Sequence, residues 1–305
     1  MKIKPLFSFA LLLAVLSGVP AAAFAGAAPG PKPLRILLVT GGCCHNYKLQ
    51  SDALKKGLEE RAFVQVDIIY TAQSTTRTVF EEYSNPDWAK GYDLILHDEC
   101  SADVVDEAYI QRILAPHAKG LPAVFLHCAM HCFRTAGYEV PGNMTSWFEF
   151  TGLQTTGHTA QAPITMSYFD KANPITKGLE NWVTGNEELY NNVMGGILPT
   201  AHAVALGRIG AETSVIAWTN IYKGKARTFA TTLGHNDETV LDSRYQDLVT
   251  RGLLWAADKL NDTYLKPAPK AAPAPVKKVA LVVPDTDNES ETAECGCAST
   301  LALAD

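Results

Sequence analysis

The run Leu34-Arg35-Ile36-Leu37-Leu38-Val39-Thr40, closed by Gly41-Gly42, constrains this chain more than any other stretch. Apolar residues at nearly every position, rather than at alternate ones, mark a strand covered on both faces, as in a parallel sheet. Such a strand needs crossover helices. Residues 49–61 supply the first, with Leu54 and Leu58 at helical spacing among charged neighbours. Strand patterns recur over 64–70, 92–97 and 122–127, and a helix is expected over 103–119. This alternation predicts right-handed crossovers and an α/β fold: a doubly wound, mostly parallel sheet with helices on both faces. Residues 164–169, 202–206, 214–218 and 226–232 make the second half β-rich, before a last helix over 243–260. One α/β domain spanning 33–262 accounts for the pattern.

Composition narrows the function classes. With 47% hydrophobic and 19% charged residues, the chain has enough apolar material for a core and too little for a multi-span membrane protein. Its 26 basic and 32 acidic side chains leave a charge of −6, which argues against nucleic acid or an anionic membrane as partner. Residues 1–25 read as a signal peptide: Lys2 and Lys4, an apolar run over 6–16, then Ala23-Phe24-Ala25 before Gly26. The expected location is therefore periplasmic or secreted, with no membrane attachment after cleavage. Residues 263–305 read as a Pro/Ala-rich linker and an acidic tail carrying Cys295 and Cys297, expected to be disordered.

The reactive residues cluster at strand ends. In an open α/β sheet the ligand crevice lies beyond the carboxyl ends of the strands. His45, His97, His127, His131 and His235 all fall at such ends, and His158 follows a glycine in a loop, so six of the eight histidines are placed to meet. One reading is a divalent metal site, zinc or manganese, built from His45, His127, His131 and His235. His127 and His131, four apart, share a face if a helix starts there. A second reading is a nucleophile elbow at Cys128, with His235 as base and Asp237 or Glu238 as the orienting acid. His127 is a candidate catalytic residue on either reading.

A small, polar ligand is expected at this crevice. Gly42, Asp98, His158 and Glu188 are the candidate polar lining, and Trp218 and Tyr222 the candidate aromatic faces. Glu187-Glu188 also fits a merely solvated turn. Without G-x-G-x-x-G or a P-loop lysine, Gly41-Gly42 does not indicate a nucleotide. Of the cysteines, Cys43 or Cys44 is expected to bridge to Cys100 or Cys132 where strand ends approach, leaving Cys128 as the thiol.

Several short motifs occur in an order that resembles the ThuA-like (trehalose utilisation) domain family. They are Leu38-Val39-Thr40-Gly41-Gly42 with His45 and Tyr47, Leu126-His127-Cys128-Ala129, Asn173 to Leu179, Asn186-Glu187-Glu188-Leu189-Tyr190, Trp218 with Tyr222-Lys223-Gly224-Lys225, Leu233-Gly234-His235, and Arg251 to Ala256. The resemblance implies a flavodoxin-like fold related to class I glutamine amidotransferases, in which Cys128, His235 and Asp237 match the catalytic layout. It also implies a carbohydrate substrate, a trehalose-type disaccharide or a keto-sugar derivative. Two further readings stand beside it: a Cys-dependent hydrolase of the amidotransferase type, and a non-catalytic carbohydrate-binding module.

Overall fold

The structure, a computed structural model, describes residues 31–193 and 196–267. The expected leader over 1–25 and the tail beyond 267 lie outside the described residues. The opening run forms β1 (Leu34–Gly42), followed by α1 (Tyr47–Arg61), β2 (Val64–Thr71), β3 (Leu94–Cys100), α2 (Glu107–Ala118) and β4 (Ala123–Leu126). A short 3₁₀ turn (His127–His131) leads to α3 (Ser146–Thr151). Five strands follow: β5 (Ala162–Ser167), β6 (Trp182–Glu187), β7 (Ala201–Ile209), β8 (Glu212–Tyr222) and β9 (Ala226–Thr231). The last two helices are α4 (Asp237–Leu241) and α5 (Ser243–Ala256).

All nine strands form one mixed sheet, in the order β2-β1-β3-β4-β9-β8-β7-β5-β6. From β2 to β9 neighbouring strands are parallel, and from β9 to β6 they are antiparallel. This agrees with an α/β, flavodoxin-like architecture with a β-rich second half, but the expected mostly parallel sheet is parallel only from β2 to β9, because the strands of the second half pair with antiparallel neighbours. The chain leaves β1 for β2 on one side and returns to β3 on the other. That reversal opens a crevice at the carboxyl ends of the strands.

The alternation of side chains along β1 explains its unbroken apolar run. Ile36 and Leu38 pack with Leu54 and Leu58 of α1 and Leu248 and Leu253 of α5. Leu37 and Val39 pack with Ile110 and Ile113 of α2 and with Trp147 and Phe150 of α3. Caps set the helix starts: Asn46 accepts from Leu49 N, Asp106 from Ala108 N and Asp242 from Arg244 N.

Three elements escape the sequence pattern. Strand β6 carries Gly185 and polar residues at the sheet edge, where one side needs no apolar cover; α3 and α4 are too short to show a helical period. The expected strand over 164–169 lies two residues earlier, as β5. The packed body also continues past 262, because Phe63 N donates to Tyr264 O (2.9 Å) and Lys266 N to Arg61 O (2.7 Å). Among the described residues no helix is long and apolar enough to cross a membrane.

Candidate functional site

Three of the expected histidines converge beyond the carboxyl ends of β1, β4 and β9. The potential ligand atoms of His45, His127 and His235 lie within 4.8 Å of one another. Their rings meet edge-on, with centroids 4.7 Å (His45–His127), 4.8 Å (His45–His235) and 5.2 Å (His127–His235) apart.

Each imidazole has its own support. His127 sits at a left-handed turn (φ 41°) where β4 stops, and its Nδ1–H donates to Thr232 O at 2.7 Å. A carbonyl can only accept, so Nδ1 holds the proton and Nε2 turns its lone pair inward. Burial, with His45 and His235 beside it, holds the His127 pKa well below the usual imidazole value, so the ring is neutral. His235 follows β9 on a loop clasped by Glu187, which accepts from Gly234 N, His235 N and Asn236 N at 3.1–3.3 Å. Burial raises the Glu187 pKa, and those donors together with the Thr239 hydroxyl oppose the rise. Gln50 of α1 ties the same loop through His235 O. His45 rides on the turn between β1 and α1.

The carboxylate that completes the group is Glu188. Its Oε1 lies 3.3 Å from His235 Nδ1, and its Oε2 lies 3.6 Å from both His127 Nε2 and His158 Nε2. Neighbouring residues at a strand end point to opposite sides, so Glu187 supports the loop from behind while Glu188 faces the histidines. Both side chains are buried, which replaces the expectation of a solvated turn. Tyr190 OH stands 3.4 Å from His127 Nε2, and the Gln161 amide contacts His235 Nε2 at 2.8 Å.

His45 and His235 open onto a groove of about 750 Å³, lined in part by Asn46, Gln161, Asn186, Asn236, Asp237 and Glu238, with His127 buried behind them. Four amides and three carboxylates line the groove, and its one guanidinium, Arg244, is paired with Asp242. It suits a hydroxyl-rich ligand better than an anion, because carboxylates repel negative charge.

Several expected residues stand elsewhere. His131 lies outside the trio: its Nε2 meets Thr155 Oγ1 at 3.1 Å and its ring stacks on Tyr190 at 4.1 Å. The turn that carries it is 3₁₀, with three residues per turn, so His131 is rotated by roughly 120° from His127 instead of sharing its face. Because β4 ends at Leu126, the left-handed elbow position falls on His127, not Cys128. Cys128 packs inward with Tyr47 and Cys100. Asp237 heads α4 and accepts from Asn46 Nδ2 at 2.8 Å; the carboxylate beside His235 is Glu188.

The outer lining is corrected too. Asp98 is buried below the crevice, accepts from Thr40 Oγ1 at 2.8 Å and has its pKa pushed up to about 8 by burial. Gly42 serves packing, since a Cβ there would collide with the Cys100 carbonyl. Trp218 and Tyr222 are four apart on β8 and so share a face, the buried one: Trp218 Nε1 donates to Thr151 O at 2.8 Å and Tyr222 packs on Phe150. His97 is sealed in the core with His117. His158 does reach the site, through Glu188. Cys43 and Cys44 are bonded to each other instead of to Cys100 or Cys132.

The trehalose-utilisation (ThuA) family profile matches residues 35–256, nearly the whole described body. The chain belongs to the ThuA family. Among solved structures, a ThuA-like protein from Parabacteroides merdae is 22% identical, with a TM-score of 0.57 over 74% of this chain and 90% of that one. A ThuA-like protein from Bacteroides uniformis is 16% identical, with a TM-score of 0.55 over 78% of this chain and 95% of the other. These likenesses extend the ThuA fold to this chain. Curated protein sequences contain no match.

Proposed function

We propose that this ThuA protein acts on a neutral carbohydrate, a trehalose-type disaccharide or a keto-sugar derivative, in the groove beside His45, His127 and His235. A divalent metal, zinc or manganese, held by these three imidazoles and Glu188 would assist it. The observation that carries the reading is the 3.3 Å between His127 Nε2 and His235 Nδ1, with Glu188 Oε1 at 3.3 Å from the latter. Donors bound at about 2.0–2.1 Å around a tetrahedral ion are spaced by about 3.3–3.4 Å. The donor set is nitrogen and oxygen, which suits zinc or manganese.

The ion, when bound, would supply Lewis-acid polarisation of a sugar carbonyl or hydroxyl. The chain's own residues do the rest. Thr232 O keeps His127 in the tautomer that offers Nε2. For His235 to offer Nδ1, Nε2 must carry the proton and Gln161 must turn its amide oxygen toward it. That amide turn needs no backbone movement. Asn46, Asn186 and Asn236 supply donors and acceptors for hydroxyls along the groove. Work outside the cytoplasm, in the periplasm or beyond, belongs to the same reading and is favoured by the Cys43–Cys44 disulfide.

The test is elemental analysis of the purified chain, followed by incubation with disaccharides and their 3-keto derivatives. Bound zinc or manganese together with metal-dependent product formation is the expected result. Saturable sugar binding with no turnover would make the chain a binding module instead. Metal-free protein whose turnover is abolished by alkylating Cys128 would make it a thiol hydrolase.

A further inference from the structure

The disulfide Cys43–Cys44 has no part in the reading above, yet it immediately precedes His45. We propose that this bond is a positioning element for the site: by locking the turn between β1 and α1 it holds the His45 imidazole against His127 and His235. The proposal rests on the three histidines acting together, and its test separates the two.

Gly41 (φ 131°), Gly42 (φ 103°) and Cys44 (φ 86°) all have left-handed backbones. A Cβ on Gly41 would collide with Thr71 of β2, and one on Gly42 with Cys100 of β3, so the strand end is clasped between its two neighbours. Both glycines are therefore required, and they leave the next residues without a strand to follow. Cys44 is a non-glycine residue in a region that side chains disfavour, and something must keep it there. A covalent link to the adjacent side chain does so, because it closes a small ring that includes the Cys43–Cys44 peptide unit.

The two sulfurs also face different surroundings. Cys43 packs against the buried group of Tyr47, Cys100 and Cys128, whereas Cys44 lines the groove. The bond thus joins a point fixed in the core to the residue that carries His45. His45 itself lies outside any helix or strand, and its ring meets three others edge-on: Tyr47 at 5.4 Å, His127 at 4.7 Å and His235 at 4.8 Å. His127 and His235 are held by the hydrogen bonds of their own strand ends. The backbone of His45 is carried by the turn that the disulfide closes, so opening the disulfide is expected to displace its ring relative to those of His127 and His235.

The test uses the full chain in oxidised and reduced forms. Peptide mapping after alkylation without reductant should find the peptide containing Cys43 and Cys44 unalkylated; alkyl groups on both residues overturn the proposal. A phosphine then reduces the pair to two thiols, itself becoming the phosphine oxide with oxygen from water, and is removed. In histidine-labelled, metal-free protein, NOEs from the His45 ring to those of His127 and His235 should be present before reduction and lost after it, while the contact between His131 and Tyr190 persists. With Co²⁺ as probe, reduction should weaken binding by about tenfold or more, the range set by groups that orient a ligand. A Cys43→Ala/Cys44→Ala variant should repeat both results; if it does not fold, the reduced wild type carries the test alone. Persistence of the NOEs after reduction overturns the proposal. Absence of Co²⁺ binding in the oxidised protein, with NOEs that vanish on reduction, leaves the positioning role standing and removes the metal.

Discussion

His97 lies within β3 and His127 just beyond the end of the neighbouring parallel strand β4, and each meets a second imidazole and a glutamate, yet their surroundings differ in kind. His97 contacts Glu99 Oε1 through Nδ1 (2.9 Å) and His117 Nε2 through Nε2 (3.4 Å), and Tyr83 OH donates to the same Glu99 oxygen. His117 Nδ1–H is committed to Leu121 O at 2.8 Å, so its Nε2 accepts and His97 is the donor between them. All four groups are fully buried, packed among Phe125, Trp147 and Phe150. In the other cluster the proton of His127 is turned away to a carbonyl, and its Nε2 faces His235, which with His45 lines a groove. Convergence of imidazoles is thus not enough to make a reactive site. What matters is whether a nitrogen still points at space a ligand can enter.

Removing one histidine from each cluster sharpens the contrast most. His127→Ala should weaken zinc binding by more than ~100-fold and leave the fold intact. His97→Ala should leave metal affinity within about twofold yet cost on the order of 3–5 kcal/mol, because it opens a cavity, removes the donor to His117 Nε2 and takes one of two partners from Glu99 Oε1. Calorimetric titration and urea melts read both. Equal metal loss in the two variants would erase the distinction.

The paired carboxylates offer a smaller version of the same comparison. Glu188→Gln should lower metal affinity about tenfold with little change in stability. Glu187→Gln should chiefly loosen the loop that carries His235, costing about 1–2 kcal/mol in urea melts, since one oxygen acceptor is lost.

Titration distinguishes buried groups by sign. Burial and the neighbouring His97 lower the His117 pKa to about 3, below its unfolded value, so its share of stability is present above pH ~6.5 and is lost as pH falls toward 3. Asp98 is raised to about 8, so its share is present below pH ~4 and is lost as pH rises through 8. Asp98→Asn should therefore stabilise the protein increasingly from pH 4 to 8 and by a constant amount, on the order of 1–3 kcal/mol, above that. A gain that shrinks with rising pH would show that Asp98 is ionised in the fold.

The smallest effects belong to residues that sit beside the site without entering it. His131→Gln, which keeps a partner for Thr155, and Cys128→Ala should each change metal affinity or turnover by less than about threefold. A large loss in Cys128→Ala would restore the thiol reading.

Much of this was legible from the chain as written, and the failures share a cause. The apolar run over 34–40 announced a two-sided strand, and the strand ends announced His45, His127 and His235. Where a decision turned on one residue of phase, the pattern could not make it. Ending β4 at Leu126 rather than 127 moved the elbow from Cys128 to His127, and a 3₁₀ rather than α turn swung His131 away. Trp218 and Tyr222 were legible as aromatics near a strand end, but not as a same-face pair, because the strand pattern stops at 218 whereas β8 runs on to Tyr222. Glu188 was legible as a candidate crevice residue, but not as the one facing the histidines, because β6, the strand that turns Glu187 and Glu188 apart, carries no strand pattern.

Periodicity and strand-end placement, properties of the chain taken a few residues at a time, determined the α/β class and the three imidazoles of the site. The tertiary structure alone decided the carboxylate that joins them, the histidines it seals away and the bonding of Cys43 to Cys44. Those choices depend on which way a side chain leaves its strand and on what a distant segment packs against it, and contacts among the segments at the ends of β4, β6 and β9 leave no local trace in the sequence.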